Sequence, residues 1–216
     1  MRARTDLTLP DWWHPLADKA ATTEGEPWVR LAPPNAEGRH SAVLILFGEG
    51  AHEGQTGPDV LICQRAANMN NHAGQPAFPG GGSEPGDTDA VATALREANE
   101  EVGLDPASVV VVTSLPEVWI SVSNFRVTPV LAWWRDPHPV HARQREEVAS
   151  VVRVPVSELV DPANRVRAKH PSGYVGPAFQ VRDLLVWGFT AGILSAVLDL
   201  ADWSRPWGPG RLVPVS

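Results

Sequence analysis

The sequence predicts an α/β (α+β) fold: a mixed β-sheet with helices on both faces. Three observations carry this. Apolar runs of strand length recur along the chain, an amphipathic stretch of helical period ends at Leu104, and a nearly all-apolar stretch runs from Leu184 to about Ala201. Their order, strand, strand, helix, hairpin, strands, helix, is that of a sheet layered with helices. With 216 residues, 43% of them apolar, the chain has material for one large α+β unit.

Residues 1–36 read as an N-terminal extension packed on the domain. Pro10, Pro15, Pro33 and Pro34 limit it to short helical pieces between turns. Its Trp12-Trp13 pair reads as a lid or brace, with a partner surface as the alternative. The domain itself spans 37–203. Ser41 to Phe47 is a continuous apolar run, as for a strand buried on both faces. Gly48 to Pro58 reads as a hairpin loop, and Val60 to Arg65 as the next strand, ending in an arginine. Ala66 to Ala77 is a polar loop without periodicity, suited to substrate contact. The amphipathic helix follows, with Gly103 as its stop. Val109 to Leu115 and Val118 to Val122 alternate with turn residues as a β-hairpin would. Arg126 to Trp134 is a strand in which Pro129 predicts an edge or a bulge. Val148 to Val156 is strand-like and leads into a short helix opening at Pro155. Residues 161–182 read as a polar loop, after which Asp183 is expected to cap the helix starting at Leu184. The tail, 204–216, is Pro/Gly-rich and reads as irregular.

Composition excludes several functions. Eighteen Lys and Arg stand against 25 Asp and Glu, a formal charge of −7 with no basic run, so no nucleic-acid partner is expected. Cys63, the single cysteine, excludes an intramolecular disulfide and suits a reducing cytoplasm. Within its apolar run it reads as buried and inert. The N-terminus lacks the apolar core of a secretory signal. The apolar stretch of about 15 residues from Leu184 is too short for a bilayer. No membrane partner is therefore expected, and the expected location is cytoplasmic.

The chemistry is concentrated in residues 78–104. Glycines and acids lead into the amphipathic helix, whose last turns carry Glu97, Glu100 and Glu101. At about 100° per residue, these positions i, i+3 and i+4 share an arc of about 100°. Val91, Leu95, Ala98 and Val102 occupy the opposite side, the core face. Three like charges on one face repel unless a cation lies between them, and a divalent metal held by oxygen ligands meets that need.

These residues resemble the Nudix box, a glycine and an acid followed by Arg-Glu-apolar-x-Glu-Glu-x-Gly-apolar. Arg96, Glu97, Ala98, Glu100, Glu101, Val102, Gly103 and Leu104 match its second half position for position. Strict spacing back from Arg96 reaches Thr88 and Gly82. Sliding by one residue reaches Asp87 and Gly81, and this alignment is preferred because a loop absorbs an insertion and Asp87 supplies the acid. The resemblance implies an α/β/α sandwich with a mixed sheet and a loop-helix-loop catalytic element. It also implies metal-dependent hydrolysis of a nucleoside diphosphate joined to a further moiety. On this reading Glu97, Glu100 and Glu101 ligate Mg²⁺ or Mn²⁺, with Glu97 or a later glutamate as base. Arg96 orients a box glutamate by a bidentate ion pair.

Upstream, Leu61, Arg65, His72, Gly74, Gln75, Phe78, Pro79, Gly80 and Gly81 are similar to the signature of the coenzyme A pyrophosphatase branch, as is Val186 to Leu194. That branch carries an arginine just before the histidine, where this chain has Asn70-Asn71. The implied substrate is coenzyme A or a thioester, cleaved to 3′,5′-ADP and 4′-phosphopantetheine or its acyl derivative. Arg65, His72, Gln75, Phe78, Gly80 and Gly81 are its implied contacts. Another nucleoside diphosphate derivative, such as ADP-ribose or NADH, is the alternative, and a non-catalytic nucleotide-binding domain a further one. Arg65 also reads as a strand-end surface charge, and His72 as a loop histidine bonded to backbone. Glu146 and Glu147 read as an exposed pair, with an auxiliary base or ligand at Glu147 as the other reading. Tyr174 and Phe179 read as core or as stacking residues. The expected partner is a small-molecule nucleotide substrate, and a homodimer is an open expectation for assembly.

Overall fold

The computed structural model describes residues 8–22, 38–50, 57–67, 73–120 and 124–215. A 3₁₀ turn, Asp11–Trp13, runs into α1 (His14–Thr22). The first sheet holds β1 (Arg39–Glu49), β2 (Pro58–Arg65), β3 (Pro76–Ala77), β4 (Gly80–Gly82), β5 (Val109–Ser114), β6 (Val118–Ile120), β7 (Phe125–Trp134) and β8 (Val148–Pro155), with α2 (Ala90–Val102) on one face. After α3 (Val156–Leu159) come β9 (Arg165–Lys169), β10 (Val175–Val181) and β11 (Leu184–Val186). Then α4 (Gly188–Leu200) and β12 (Arg211–Pro214) complete the chain.

The long axis of the first sheet is β3-β2-β1-β7-β5. β1 and β7 run parallel, Arg39 opposite Phe125 through Phe47 opposite Trp133, and every other pairing in this sheet is antiparallel. The apolar run in β1 is buried on both sides, as its composition requires. Ala42, Leu44 and Leu46 pack with Ala94, Ala98 and Val102 of α2, while Ile45 and Phe47 pack with Leu194, Val197 and Leu198 of α4. The mixed sheet with helices on both faces is thus observed, and β1 and β2 pair across the predicted hairpin.

Five expectations are corrected. The segments Val109–Ser114 and Val118–Ile120 do not pair as a hairpin. β5 and β6 each pair with β7, one after the other along the same edge, because Leu115-Pro116-Glu117 offsets the chain without reversing it. Of the two expectations for Pro129 the edge is not met, since β7 lies between β1 and β5, whereas the bulge is. Its carbonyl accepts the Leu115 N–H at 2.8 Å, and a strand residue's N and C=O face the same neighbour. The missing donor therefore falls at the break between β5 and β6, beside the register shift at Val111/Thr113.

Residues 161–182 are not a loop, and the tail is not wholly irregular. They build a second sheet, β11-β10-β9-β12, in which β12 joins β9 in parallel. Charged residues alternating through Arg165, Arg167 and Lys169, and Gly176-Pro177 in β10, concealed the strands. Arg165 is only 5% exposed, its guanidinium between the Phe179 and Trp207 rings at 4.3 and 4.6 Å and bonded to Ser195 Oγ at 2.8 Å. Phe179 is core. Asp183 does not cap a helix. Arg182 and Asp183, at φ 48° and 62°, form the tight turn between β10 and β11, and α4 begins at Gly188 after Trp187 without a side-chain cap.

At the N-terminal end Trp13 is fully buried, edge-on to Phe47 at 5.7 Å and stacked on Trp12 at 5.4 Å. Lys19 reaches Asp202, and Trp12 Nε1 donates to Glu49 at 2.6 Å. No helix among the described residues is long and apolar enough to cross a membrane. Because Trp13 fills the same core as β1 and α4, Trp13→Ala is expected to destabilise the protein by about 3–5 kcal/mol. Chemical denaturation measures it, and a loss below about 1 kcal/mol would show the helix to be dispensable to that core.

Candidate active site

The helix that carries the acids is fixed at both ends. Asp89 is the N-cap and accepts the Ala92 N–H at 2.8 Å, and Gly103 closes the C-terminus at φ 75° in the left-handed region, as its position predicted. Asn99 Nδ2 donates to the Leu104 carbonyl at 2.8 Å and holds the chain as it leaves.

Arg96 is the hub. Its Nε donates to Asp87 Oδ1 at 3.1 Å and its Nη2 to Asp87 Oδ2 at 3.0 Å, a two-point grip on one carboxylate. The same Nη2 donates to the Gly82 carbonyl at 2.9 Å and lies 3.2 Å from Glu97 Oε1, while Nη1 reaches Glu100 Oε2 at 3.1 Å. The bidentate partner of Arg96 is therefore Asp87 and not a box glutamate, because Asp87 is held in the plane of the guanidinium by the Glu84 N–H and the Thr93 hydroxyl, both at 2.9 Å. Ionic pairing with Arg96 holds the Asp87 carboxyl far below the usual carboxylate range and the Arg96 guanidinium above its own. Asp87 stands where the loop meets the helix. Thr93, fully buried and also bonded to Ser83 Oγ at 3.1 Å, was missed by sequence reasoning, since a threonine in a helix interior carries no distinguishing signal.

The three glutamates differ in environment. Glu100 is exposed, Glu97 half-buried, and Glu101 only 3% exposed. Glu101 Oε2 accepts the Gly80 N–H at 3.0 Å. Gly80, at φ 155°, packs on β1, where a Cβ would run into the Ala42 carbonyl oxygen and lie 2.7 Å from Val43 Cα. A Cβ on Gly81 would run into the Glu97 carboxylate. The two glycines thus touch the carboxylates themselves. Burial pushes the Glu101 carboxyl up to about 7, the Gly80 N–H and Arg65 opposing it and the charges of Glu97 and Glu147 adding to it. Burial also raises Glu97, with Arg96 pulling it down and Glu100 and Glu147 pushing it up.

Around these acids the upstream residues fall into different roles. Arg65 ends β2 close enough to act on Glu101, and its N–H is held by the Gln75 carbonyl at 3.0 Å. Glu147 is exposed at the entry to β8, its carbonyl accepting the Ala66 N–H at 2.8 Å, within electrostatic reach of Glu97 and Glu101. Phe78 corrects the expectation of a ligand contact. At 3% exposed it is core, anchoring the glycine approach. His72 and Asn70-Asn71 lie outside the described residues. Cys63 is buried and its thiol raised by that burial and by Glu101.

Among the described residues no three acidic, His or Cys side chains already converge as a metal cage, and Arg96 is the cation among Asp87, Glu97 and Glu100. The donor chemistry nevertheless fits a hard divalent ion. Glu97, Glu100 and Glu101 offer only oxygens, and the raised carboxyls of Glu97 and Glu101 record buried negative charge that nearby cations do not fully offset.

Comparison with known proteins agrees with this geometry. The family model described as NUDIX domain matches residues 38–174. A Citrobacter koseri protein named uncharacterized Nudix hydrolase NudL is 41% identical over 163 residues, covering 72% of this chain and 79% of its own length. Its namesake in Escherichia fergusonii is 39% identical over the same extent. A solved Nudix hydrolase from Nitrosomonas europaea superposes with a TM-score of 0.52 over 84% of this chain and 81% of its own, at 14% identity, a likeness of fold.

Two outcomes are expected. Gly80→Ala strikes backbone and should lower the melting temperature, whereas Gly81→Ala strikes only a side chain and should leave the fold intact while displacing Glu97. Melting curves alongside turnover separate them, and equal loss of stability in both would reject the distinction. The second concerns pH. Glu101 rises from 4.5 to about 7 on folding, so the folded state holds the extra proton between those values and stability should fall as pH rises through the window. With the protein in chelator, melting temperature against pH should decline there by the equivalent of up to about 3 kcal/mol, and Glu101→Gln should flatten the decline. A stability that climbs across the window would refute the assignment.

Proposed function

The chain belongs to the Nudix family and is a Nudix pyrophosphohydrolase, and from that premise we propose that it hydrolyses the diphosphate linkage of coenzyme A or its thioesters. Nudix hydrolases act on small nucleotide substrates and need divalent metal ions. The observation that carries the substrate reading is the upstream segment. Leu61, Arg65, His72, Gly74, Gln75 and Phe78 to Gly81 resemble the coenzyme A branch in sequence, and within this segment Arg65 lies in electrostatic reach of Glu101 while the Gly80 N–H donates to the Glu101 carboxylate.

On this reading Glu97, Glu100 and Glu101 hold Mg²⁺ or Mn²⁺. An ion held by them would supply charge neutralisation at the diphosphate and a lowered pKa for the attacking water. Arg96, locked by Asp87 and the Gly82 carbonyl, keeps Glu97 and Glu100 aimed to one side of α2. Arg65 offers positive charge to a phosphate oxygen. Glu97 or a later glutamate takes the proton of the water, and Glu147, exposed within electrostatic reach of Glu97 and Glu101, stands at the rim as an auxiliary acid-base group. The water oxygen bonds to phosphorus, the bridging P–O bond breaks, and the products are 3′,5′-ADP and 4′-phosphopantetheine or its acyl form. Asn70-Asn71, in place of an arginine, favours a second reading, a substrate without the 3′-phosphate such as ADP-ribose or NADH.

The test is a product-resolved substrate panel in Mg²⁺ and in Mn²⁺. The first reading requires coenzyme A to be cleaved to 3′,5′-ADP. Cleavage of ADP-ribose or NADH with coenzyme A untouched would replace it by the second. Glu101→Gln should lower kcat by about 10²- to 10⁴-fold with the fold retained, and unchanged turnover would remove Glu101 from the machinery.

A further inference from the structure

A cavity of about 300 Å³ lies between the end of β2 and the second sheet. Gln64 and Arg65 are separated by a register shift in the β2–β8 pairing, Arg65 lying within electrostatic reach of Glu101 and Gln64 lining this cavity. The two-residue β3 pairs with Cys63 and Gln64 beside the cavity. Gln75, one residue before β3, lines the cavity with its side and supports Arg65 with its carbonyl. The far wall comes from the second sheet: Leu185 of β11, Trp187, and Val215 beyond β12, with Asp183 at the tight turn.

Its chemistry is that of a flat, polar ligand. Trp187 is partly exposed, and His170 covers one side of its indole, 5.9 Å between centroids at 20°. Ser150 Oγ donates to Gln64 Oε1 at 3.2 Å, which turns the Gln64 amide so that its NH₂ remains a donor. Asp183 supplies an acceptor. An aromatic wall with a fixed donor and a fixed acceptor suits a planar ring that carries both acceptor nitrogens and an amino group.

We propose that this cavity binds the aminopurine base of the nucleotide substrate, with the diphosphate directed toward Arg65 and the carboxylates of α2. The proposal rests on the reading of the chain as a hydrolase of nucleotide diphosphates and adds where the nucleoside half is held. It also reassigns the nucleoside contact to Trp187 rather than Tyr174 or Phe179, the latter being wholly buried.

Two probes without a diphosphate decide it. Adenosine carries the base, and pantetheine carries the amide arm of coenzyme A. Adenosine should inhibit hydrolysis competitively, and Trp187→Leu should raise its inhibition constant and the substrate KM each by about tenfold, with a smaller change in kcat. Gln64→Ala, which leaves the aromatic wall in place, gives the same readout should Trp187→Leu not fold. An adenosine inhibition constant unchanged in both variants, or competition by pantetheine that is lost in them, would overturn the assignment. If no diphosphate is hydrolysed at all, the functional reading fails separately. Calorimetric titration of adenosine into the wild type and Trp187→Leu still decides this site, with binding weakened by the substitution in support and no binding to either against.

Discussion

One guanidinium holds the catalytic element together. Without Arg96, the glycine approach, the acid at its end and the acidic face of α2 would have little reason to stay in register, because the last of these repels itself. A planar fork gripping Asp87 at two points, the Gly82 carbonyl at a third, and Glu97 and Glu100 at its margins turns that repulsion into a fixed arrangement. Lysine could not do this, since a single ammonium lacks the divergent donors. The clamp is also why Glu101 can be buried. With the loop pinned to the helix, Gly80 is pressed onto β1 and its N–H is delivered to the one carboxylate that Arg96 does not reach.

Much of this was legible beforehand because the forces involved are local. Spacing at i, i+3 and i+4 puts three acids on one face whatever the rest of the chain does, and a glycine after Val102 ends a helix for reasons contained in its own backbone. Burial of Glu101 was not legible. Helical arithmetic grouped it with Glu97 and Glu100 on one acidic face without distinguishing it, whereas the neighbouring strand β4 closes over it. The partner of Arg96 was likewise hidden, since a bidentate grip depends on where a loop returns in space.

The larger misreadings lie where strand propensity is weak and tertiary contact decides. Arg165-Val166-Arg167-Ala168-Lys169 alternates, but its charged residues suggested water on one side. In the folded protein Arg165 faces the aromatic rings of Phe179 and Trp207, so the alternation is between two packed faces. A tail with prolines and glycines became a strand because β9 offered it an open edge. Pro129 met one of its two expectations, the bulge and not the edge: the rule concerns a missing donor, and a central strand can accommodate one wherever its neighbour is interrupted.

The parallel pairing of β1 and β7 has a consequence for how activity is gained. Everything that makes the catalytic element, from β2 through β6 with α2 between, is threaded into the connection that joins those two strands. Closing that pair requires contacts between residues 86 positions apart, such as Arg39 with Phe125, before the central sheet exists. The acids of α2 rest on that sheet through Ala94, Ala98 and Val102, so a partly folded chain has an acidic helix but no Gly80 held against β1 to receive it. Competence therefore arrives with global closure of the sheet, and fragments that retain the whole signature but lack β7 should be inert.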